Sequence, residues 1–208
     1  MARRVLVISP HPDDESIGCG GTLCQHVNDG DGVAVIFLTS GEAGGHGRTR
    51  EQTLKVREAE ARRAAKLFKL GPIEFWRQPD GALRVTDELV RRMSTAIDRL
   101  KPDIIYLPHD REMHQDHRTA VRLLRRALGR SKRKPDVLMF EVWTPLQRMD
   151  HIVDISPYIQ MKLRAIRLYK SQNDELDFDD AFLGLARYRG EMHSWPGGDY
   201  AEVFARLR

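Results

Sequence analysis

The chain has 208 residues, 41% of them hydrophobic and 31% charged, with 34 basic against 30 acidic side chains and a formal net charge of +4. That is enough for one α/β domain with a sizeable core, and no linker rich in Pro, Ser or Gly and no repeat divides residues 1–208. The near balance of charge argues against a nucleic-acid partner, no apolar stretch approaches the roughly 20 residues of a membrane span, and Cys19 and Cys24 are neither a disulfide framework nor a Cys-x-x-Cys site.

The N-terminus, Met1-Ala2-Arg3-Arg4, leads into an apolar run too short for a signal peptide, so a soluble, cytoplasmic protein is expected, with both cysteines as inert thiols. That run, Val5–Ile8, is β-branched and predicts a buried strand; a helical period follows over Ile17–Val27, and a second strand over Val33–Leu38 completes a βαβ unit. Thr39 to Arg50 is a glycine-rich loop at the carboxyl end of that strand, longer than a simple connection needs and placed to border a site there. Glu51–Leu70 reads as a long helix ended by Gly71-Pro72, Ile73–Trp76 as a strand and Pro79-Asp80-Gly81 as a turn. Asp87–Leu100 and His117–Leu128 are predicted helices, Ile104–Leu107 and Val137–Val142 strands. This succession predicts an α/β fold, a Rossmann-like three-layer αβα sandwich with a mostly parallel sheet. Beyond it come a short strand over His151–Ile155, a helix over Ile159–Lys170, a weaker helix over Phe182–Arg189 and a terminal element over Tyr200–Phe204. The basic run Arg122 to Lys134 crowds a helix C-terminus, where cations complement the dipole, and reads as a solvated face.

Two segments carry chemistry. Directly after the first strand, Ser9-Pro10-His11-Pro12-Asp13-Asp14-Glu15 packs an imidazole and three carboxylates together. Directly after Ile104–Leu107, Pro108-His109-Asp110-Arg111-Glu112-Met113-His114-Gln115-Asp116-His117 supplies more. In a parallel α/β sheet, ligands bind beyond the carboxyl ends of the strands. If the two strands are close, His11, Asp14 and one of His114 or His117 surround a common point, three protein ligands with a position left for water, as in a catalytic zinc site. Histidine and carboxylate ligands suit ferrous iron as well, so Zn2+ and Fe2+ both remain open.

With both segments in view, the sequence resembles the LmbE/PIG-L superfamily of zinc-dependent N-deacetylases, which remove acetyl groups from N-acetylglucosamine conjugates. The resemblance spans nearly the whole chain. It rests above all on Pro10-His11-Pro12-Asp13-Asp14-Glu15 and His114-Gln115-Asp116-His117, with support from Thr39-Ser40-Gly41-Glu42, Arg57-x-x-Glu60, Pro79-Asp80-Gly81, Tyr169-Lys170-Ser171-Gln172 and Ala201-Glu202-Val203-Phe204. It implies that His11, Asp14 and His117 bind zinc and that Asp13 is the general base. His114, as a cationic imidazole, would stabilise the transition state or act as acid; Asp116 would orient His114 and Arg57 would help bind substrate. It further implies a small amino-sugar conjugate as substrate, and a homo-oligomer remains open. Longer members carry a tail beyond the position of Arg208, and contacts from such a tail are not expected here.

Blander readings compete. The carboxylates after the first strand are also favourable helix caps. A zinc amidase cutting another acyl-amine bond, such as a thiol conjugate, has the same machinery. Gly18-x-Gly20 prompts a non-catalytic nucleotide- or sugar-binding module, but the dinucleotide fingerprint wants a third glycine where Leu23 stands, and the carboxylates would repel a pyrophosphate. His26 and His151 read as structural, His109 and His46 as candidates for the surroundings of the site, His193 as a surface turn. Trp76, Trp143 and Trp195 read as packing rather than sugar platforms, although the glycine-rich loop and the segments near Trp143 and Trp195 are placed to set selectivity.

Overall fold

Side chains along the first strands alternate between two cores, and that alternation builds the layers. In the computed structural model, which describes residues 2–174, 176–193 and 198–208, β1 (Arg4–Ser9) points Leu6 and Ile8 one way and Val5 and Val7 the other. β2 (Gly32–Thr39) divides in the same way, Ala34, Ile36 and Leu38 against Val33, Val35 and Phe37. The remaining strands are β3 (Ile73–Gln78), β4 (Ile104–Pro108), β5 (Asp136–Phe140), β6 (His151–Asp154) and β7 (Ala201–Arg206).

The first face is covered by α3 (Asp87–Leu100), through Leu89, Val90, Met93 and Ile97, and by α4 (Gln115–Leu128), through Val121, Leu123 and Leu124. The second is covered by α1 (Asp14–Asn28), through Ile17 and Leu23, α2 (Arg50–Phe68), through Ala61 and Ala64, α5 (Ile159–Ile166), through Ile166, and α7 (Phe178–His193), through Phe182. Between α5 and α7 lies the single turn α6 (Lys170–Asn173). The sheet order is β3-β2-β1-β4-β5-β7-β6. β1, β2, β3, β4 and β5 pair in parallel, and β7 joins β5 and β6 antiparallel. The predicted three-layer, mostly parallel α/β fold is therefore the observed one. Strand order reverses between β1 and β4, so the loops after those strands open outward into a shared crevice.

Three local features depart from the sequence reading. The helix predicted over Ile159–Lys170 breaks, because Tyr169 takes φ −84° and ψ 57° and turns a buried hydroxyl onto Glu15. The weak helix predicted over Phe182–Arg189 is twice as long, running from Phe178 to His193. Within α1, Cys19 leaves helical geometry at φ −143°. The kink exposes the amides of Gly21 and Thr22, and the buried carboxylate of Glu202 on β7 accepts both, at 2.9 and 2.8 Å. Lys162 on α5 neutralises that carboxylate at 2.6 Å and donates to Ile17 O. Burial pushes both thiols up, Cys24 to about 12, which suits inert cysteines. Among the described residues no helix is long and apolar enough to cross a membrane.

Candidate active site

The loop after β1 delivers its side chains inward by means of an unusual backbone. Asp13 sits at φ 121°, a region that residues with a Cβ rarely occupy and one that tends to mark functional sites. The turn is fixed from below: Asp13 N donates to Glu15 Oε2 at 3.2 Å, and Glu15 is itself buried against Tyr169 and Ser16. Although Asp13 precedes α1, its carboxylate makes no capping hydrogen bond, so the capping interpretation fails for this residue. Burial pushes the Asp13 carboxyl up to about 7, with Arg57 opposing and Asp14 adding to the rise.

Three donor groups converge. His11 Nδ1 lies 3.2 Å from His117 Nε2, and Asp14 touches both rings, Oδ2 at 3.4 Å from His11 Nδ1 and Oδ1 at 3.3 Å from His117 Nε2. Ligand atoms on a tetrahedral ion with bonds of about 2.0–2.1 Å are separated by about 3.3–3.4 Å, so these spacings fit one zinc-sized cation. His114 joins from the side, its ring centroid 4.6 Å from that of His11, and the three imidazoles offer nitrogens within 4.8 Å of one another. Burial disfavours the Asp14 anion, but His117 and His11 overcome it and hold its carboxyl far below the usual range.

The other nitrogen of His11 is also held. Nε2 faces Asp80 Oδ1 at 3.0 Å and Asp116 Oδ2 at 3.4 Å, an arrangement that presents Nδ1 to the centre and makes it a better donor. His11, Asp80 and Asp116 form a second, wholly buried group of potential ligands. The backbone amides of Gly81 and Leu83 donate to Asp116, at 2.8 and 3.1 Å. Its carboxylate thus fastens the turn after β3 and supports His11, so any hold of Asp116 on His114 comes through its backbone. What orients His114 is the Asp116 backbone, whose N–H donates to His114 Nδ1 at 3.2 Å. Burial, with His11 and His117 nearby, pushes His114 below the usual imidazole value. A cationic His114 was expected; the geometry instead favours a neutral ring carrying its proton on Nε2.

Arg57, expected at the substrate, is only 4% exposed and already engaged. It donates to Asp13 Oδ2 at 2.9 Å, Pro12 O at 2.7 Å and Gly41 O at 3.0 Å. Gly41 has φ 65°, and a Cβ there would meet the guanidinium at 2.4 Å. The glycine-rich loop therefore closes tightly on Arg57. It is fastened again by Glu42, which accepts from Asp80 N at 2.9 Å, while Ala43 N donates to Asp80 at 2.8 Å.

One residue of the second segment had no assigned role. Glu112 is 1% exposed, and its carboxylate lies 3.7 Å from His117 Nδ1, a buried atom without a hydrogen-bond partner among the described residues. The same carboxylate accepts from the amides of Val142, Trp143 and Thr144. The available signal was an acid five residues before His117, in the same segment. His109 is held by Thr144 O at 2.7 Å and Arg111 N at 3.1 Å, so both of its nitrogens are engaged away from the centre. His26 is likewise engaged, with Asp31 and Tyr106, while His46 lines the pocket. Trp195 lies outside the described residues.

The centre borders a cavity of about 390 Å³ lined by His11, Asp13, Asp14, Arg57, Asp80 and His114 together with Trp143, Leu176 and Phe178. The glycines of α1 pack against protein: a Cβ on Gly18 would strike the Phe140 ring of β5 at 2.0 Å, and one on Gly21 would strike Ile155 at 2.6 Å. They are small so that α1 can lie close to the sheet and to the segment before α5, which removes the ground for a nucleotide-binding module.

Residues 6–128 match the model of the PIG-L family, described as GlcNAc-PI de-N-acetylase. The diacetylchitobiose deacetylase of Thermococcus kodakarensis is 31% identical over 221 residues, covering 96% of this chain and 81% of that protein. A Bacillus subtilis protein described as "Probable N-acetyl-alpha-D-glucosaminyl L-malate deacetylase 2" is 28% identical, covering 84% of this chain and 85% of its own length. The structure of N,N'-diacetylchitobiose deacetylase from Pyrococcus horikoshii has the same fold, with a TM-score of 0.88 at 24% identity, covering 99% of this chain and 84% of that one.

Proposed function

Because the chain belongs to the PIG-L family, we propose that it is a zinc-dependent amide hydrolase that removes the acetyl group from an N-acetylglucosaminyl conjugate, releasing acetate and a free amine. The observation that carries this reading is the convergence of His11, Asp14 and His117 at 3.2–3.4 Å, with the carboxylate of Asp13, held by Arg57, beside them. Those three residues are the proposed ligands, and a bound zinc ion lowers the pKa of a water and polarises a carbonyl oxygen.

Asp13 takes a proton from the attacking water. A carboxyl poised at about 7 is suited to take it and, once the carbon–nitrogen bond breaks, to give it to the departing amine. Arg57 holds the Asp13 oxygen in line and so acts as a positioning residue. His114 offers Nε2–H to the oxyanion that develops on the acetyl oxygen, and a preorganised donor of this kind is typically worth about 100- to 1,000-fold in rate. Asp80 and Asp116 hold His11 in place. The domain so read is 1–208, working in the cytoplasm, where two unpaired thiols are stable.

The test is metal content by inductively coupled plasma mass spectrometry for wild type and His117→Ala, followed by product analysis on acetylated glucosaminides. The expected result is about one zinc per wild-type chain, little in the variant, and acetate released with the amine. Metal retained by the variant would defeat the ligand assignment, and a longer acid in place of acetate would move the assignment to a conjugate amidase.

A further inference from the structure

The residues that line the pocket are of two chemical kinds. Three are carboxylates, Asp13, Asp14 and Asp80, and Arg57 is the only Lys or Arg among the described residues that line the cavity. Its guanidinium is committed to Asp13, Pro12 O and Gly41 O. A divalent cation on the proposed ligands, together with Arg57, would balance the three carboxylates, so that apart from the imidazoles of His11, His46 and His114 the described lining offers no positive charge to an anion on the substrate.

The other kind is apolar and partly open to solvent. Trp143 is 43% and Leu176 51% exposed, large side chains in contact with solvent beside a cavity. Trp143 meets Phe178 edge to face, with centroids 5.6 Å apart at 70°. The Trp143 part of the wall is held at its backbone, because the buried Glu112 carboxylate accepts from the amides of Val142, Trp143 and Thr144, at 2.8, 3.2 and 3.2 Å. Aromatic surface exposed in a concave site, held by its backbone and lacking charge, is matched by a neutral ring whose apolar face packs on it.

Resting on the deacetylase reading, we infer that Trp143, Phe178 and Leu176 form a subsite for the group attached to the amino sugar, and that this group is a neutral ring, a second sugar or an aryl group, rather than a carboxylate or phosphate. Selectivity against anions follows from Asp13 and Asp80 facing a cavity whose described lining holds no lysine and no arginine other than the committed Arg57.

The experiment compares amine release from phenyl N-acetyl-β-glucosaminide, N-acetylglucosamine 1-phosphate and free N-acetylglucosamine. Wild type is expected to favour the phenyl glycoside by about tenfold in kcat/KM, the scale of one good aromatic contact. Trp143→Ala should lower the phenyl glycoside several-fold more than the free sugar, chiefly through KM. Leu176→Lys, a surface change independent of Trp143 packing, should raise turnover of the phosphate several-fold. Preference for the phosphate in wild type, or an equal loss on all three compounds in Trp143→Ala, overturns the subsite. Should no compound release amine, the deacetylase reading fails by itself. Saturation-transfer NMR then decides the subsite: transfer to the phenyl protons that is lost in Trp143→Ala supports it, and no transfer refutes it.

Discussion

The two ends of the parallel sheet each bury a histidine among carboxylates, and they differ in what those groups leave undone. At the amino ends of β1, β4 and β5, His26 Nδ1 meets Asp31 at 2.7 Å, His26 Nε2 meets the Tyr106 hydroxyl at 3.0 Å, and Asp31 also accepts from Arg3 N at 2.7 Å. Every polar atom of that imidazole has a protein partner. At the carboxyl ends, His11 Nδ1, His117 Nε2 and two Asp14 oxygens face one another instead. Cavity size does not separate the two ends, since about 440 Å³ adjoins His26 and about 390 Å³ adjoins His11. What separates them is that the polar atoms of one cluster are satisfied pairwise within the protein, whereas those of the other converge on one point, the geometry that the proposed cation would occupy.

The comparison breaks most sharply if the converging donors are dispensable. His11→Ala, Asp14→Ala and His117→Ala are each expected to lose nearly all bound metal and all measurable turnover. Normal metal content by mass spectrometry in any one of them would return that residue to the structural class of His26. Asp13→Asn comes next: metal should remain, while kcat falls by about 100- to 10,000-fold, the range of general-base assistance. Turnover near wild type would remove Asp13 from the proton-transfer role.

The sequence made one end of the sheet far more readable than the other parts of the site. His11, Asp13, Asp14, His114 and His117 were legible because they are clustered in two short segments, each following a strand with an unmistakable apolar pattern. The layers were legible for the same reason, since β-branched runs and helical periods alternate through α4. Duties that depend on distant backbone were not. Asp116 binds the amides of Gly81 and Leu83, and Arg57 closes on the loop at Gly41, relations that only tertiary structure creates. Glu202 appeared in the sequence only within Ala201-Glu202-Val203-Phe204, without a task, and Lys162 was given no task. Their task, capping the kink inside α1, follows from Cys19 leaving the helix, which no periodicity reveals. Tyr169 breaks a helix that local propensity favours because Glu15 binds its hydroxyl.

Glu112 sharpens the comparison, because it tests whether the site end contains a satisfied layer of its own beneath the converging one. Its carboxylate stands 3.7 Å from His117 Nδ1, and its removal as an anion should weaken the ligand without unmaking the site. Glu112→Gln keeps the shape and an acceptor for the Val142 amide. The expected effect is a drop in metal affinity of about 10- to 100-fold, read by competition with a chelator. Unchanged affinity would confine Glu112 to holding the wall at Trp143.

The smallest effects belong to the satisfied end, and there the sign with pH is the informative quantity. His26→Ala should leave metal content and kcat/KM at wild-type levels while lowering unfolding free energy by about 1–3 kcal/mol, since Asp31 and Tyr106 lose a buried partner. Burial pushes the His26 imidazole below its ordinary value of 6.5, against the pull of Asp31. Between that lowered value and 6.5 the unfolded chain binds a proton that the folded protein refuses, so stability rises with pH across the window. The contribution is fully present above pH 6.5 and is lost as pH falls through the folded value. Denaturant unfolding of wild type and His26→Ala from pH 7.5 to 5 should therefore diverge most at the upper end and converge toward acid. A difference that widened toward acid would mean that His26 is held as a cation by Asp31, and the satisfied cluster would then be an ion pair rather than a neutral relay of hydrogen bonds.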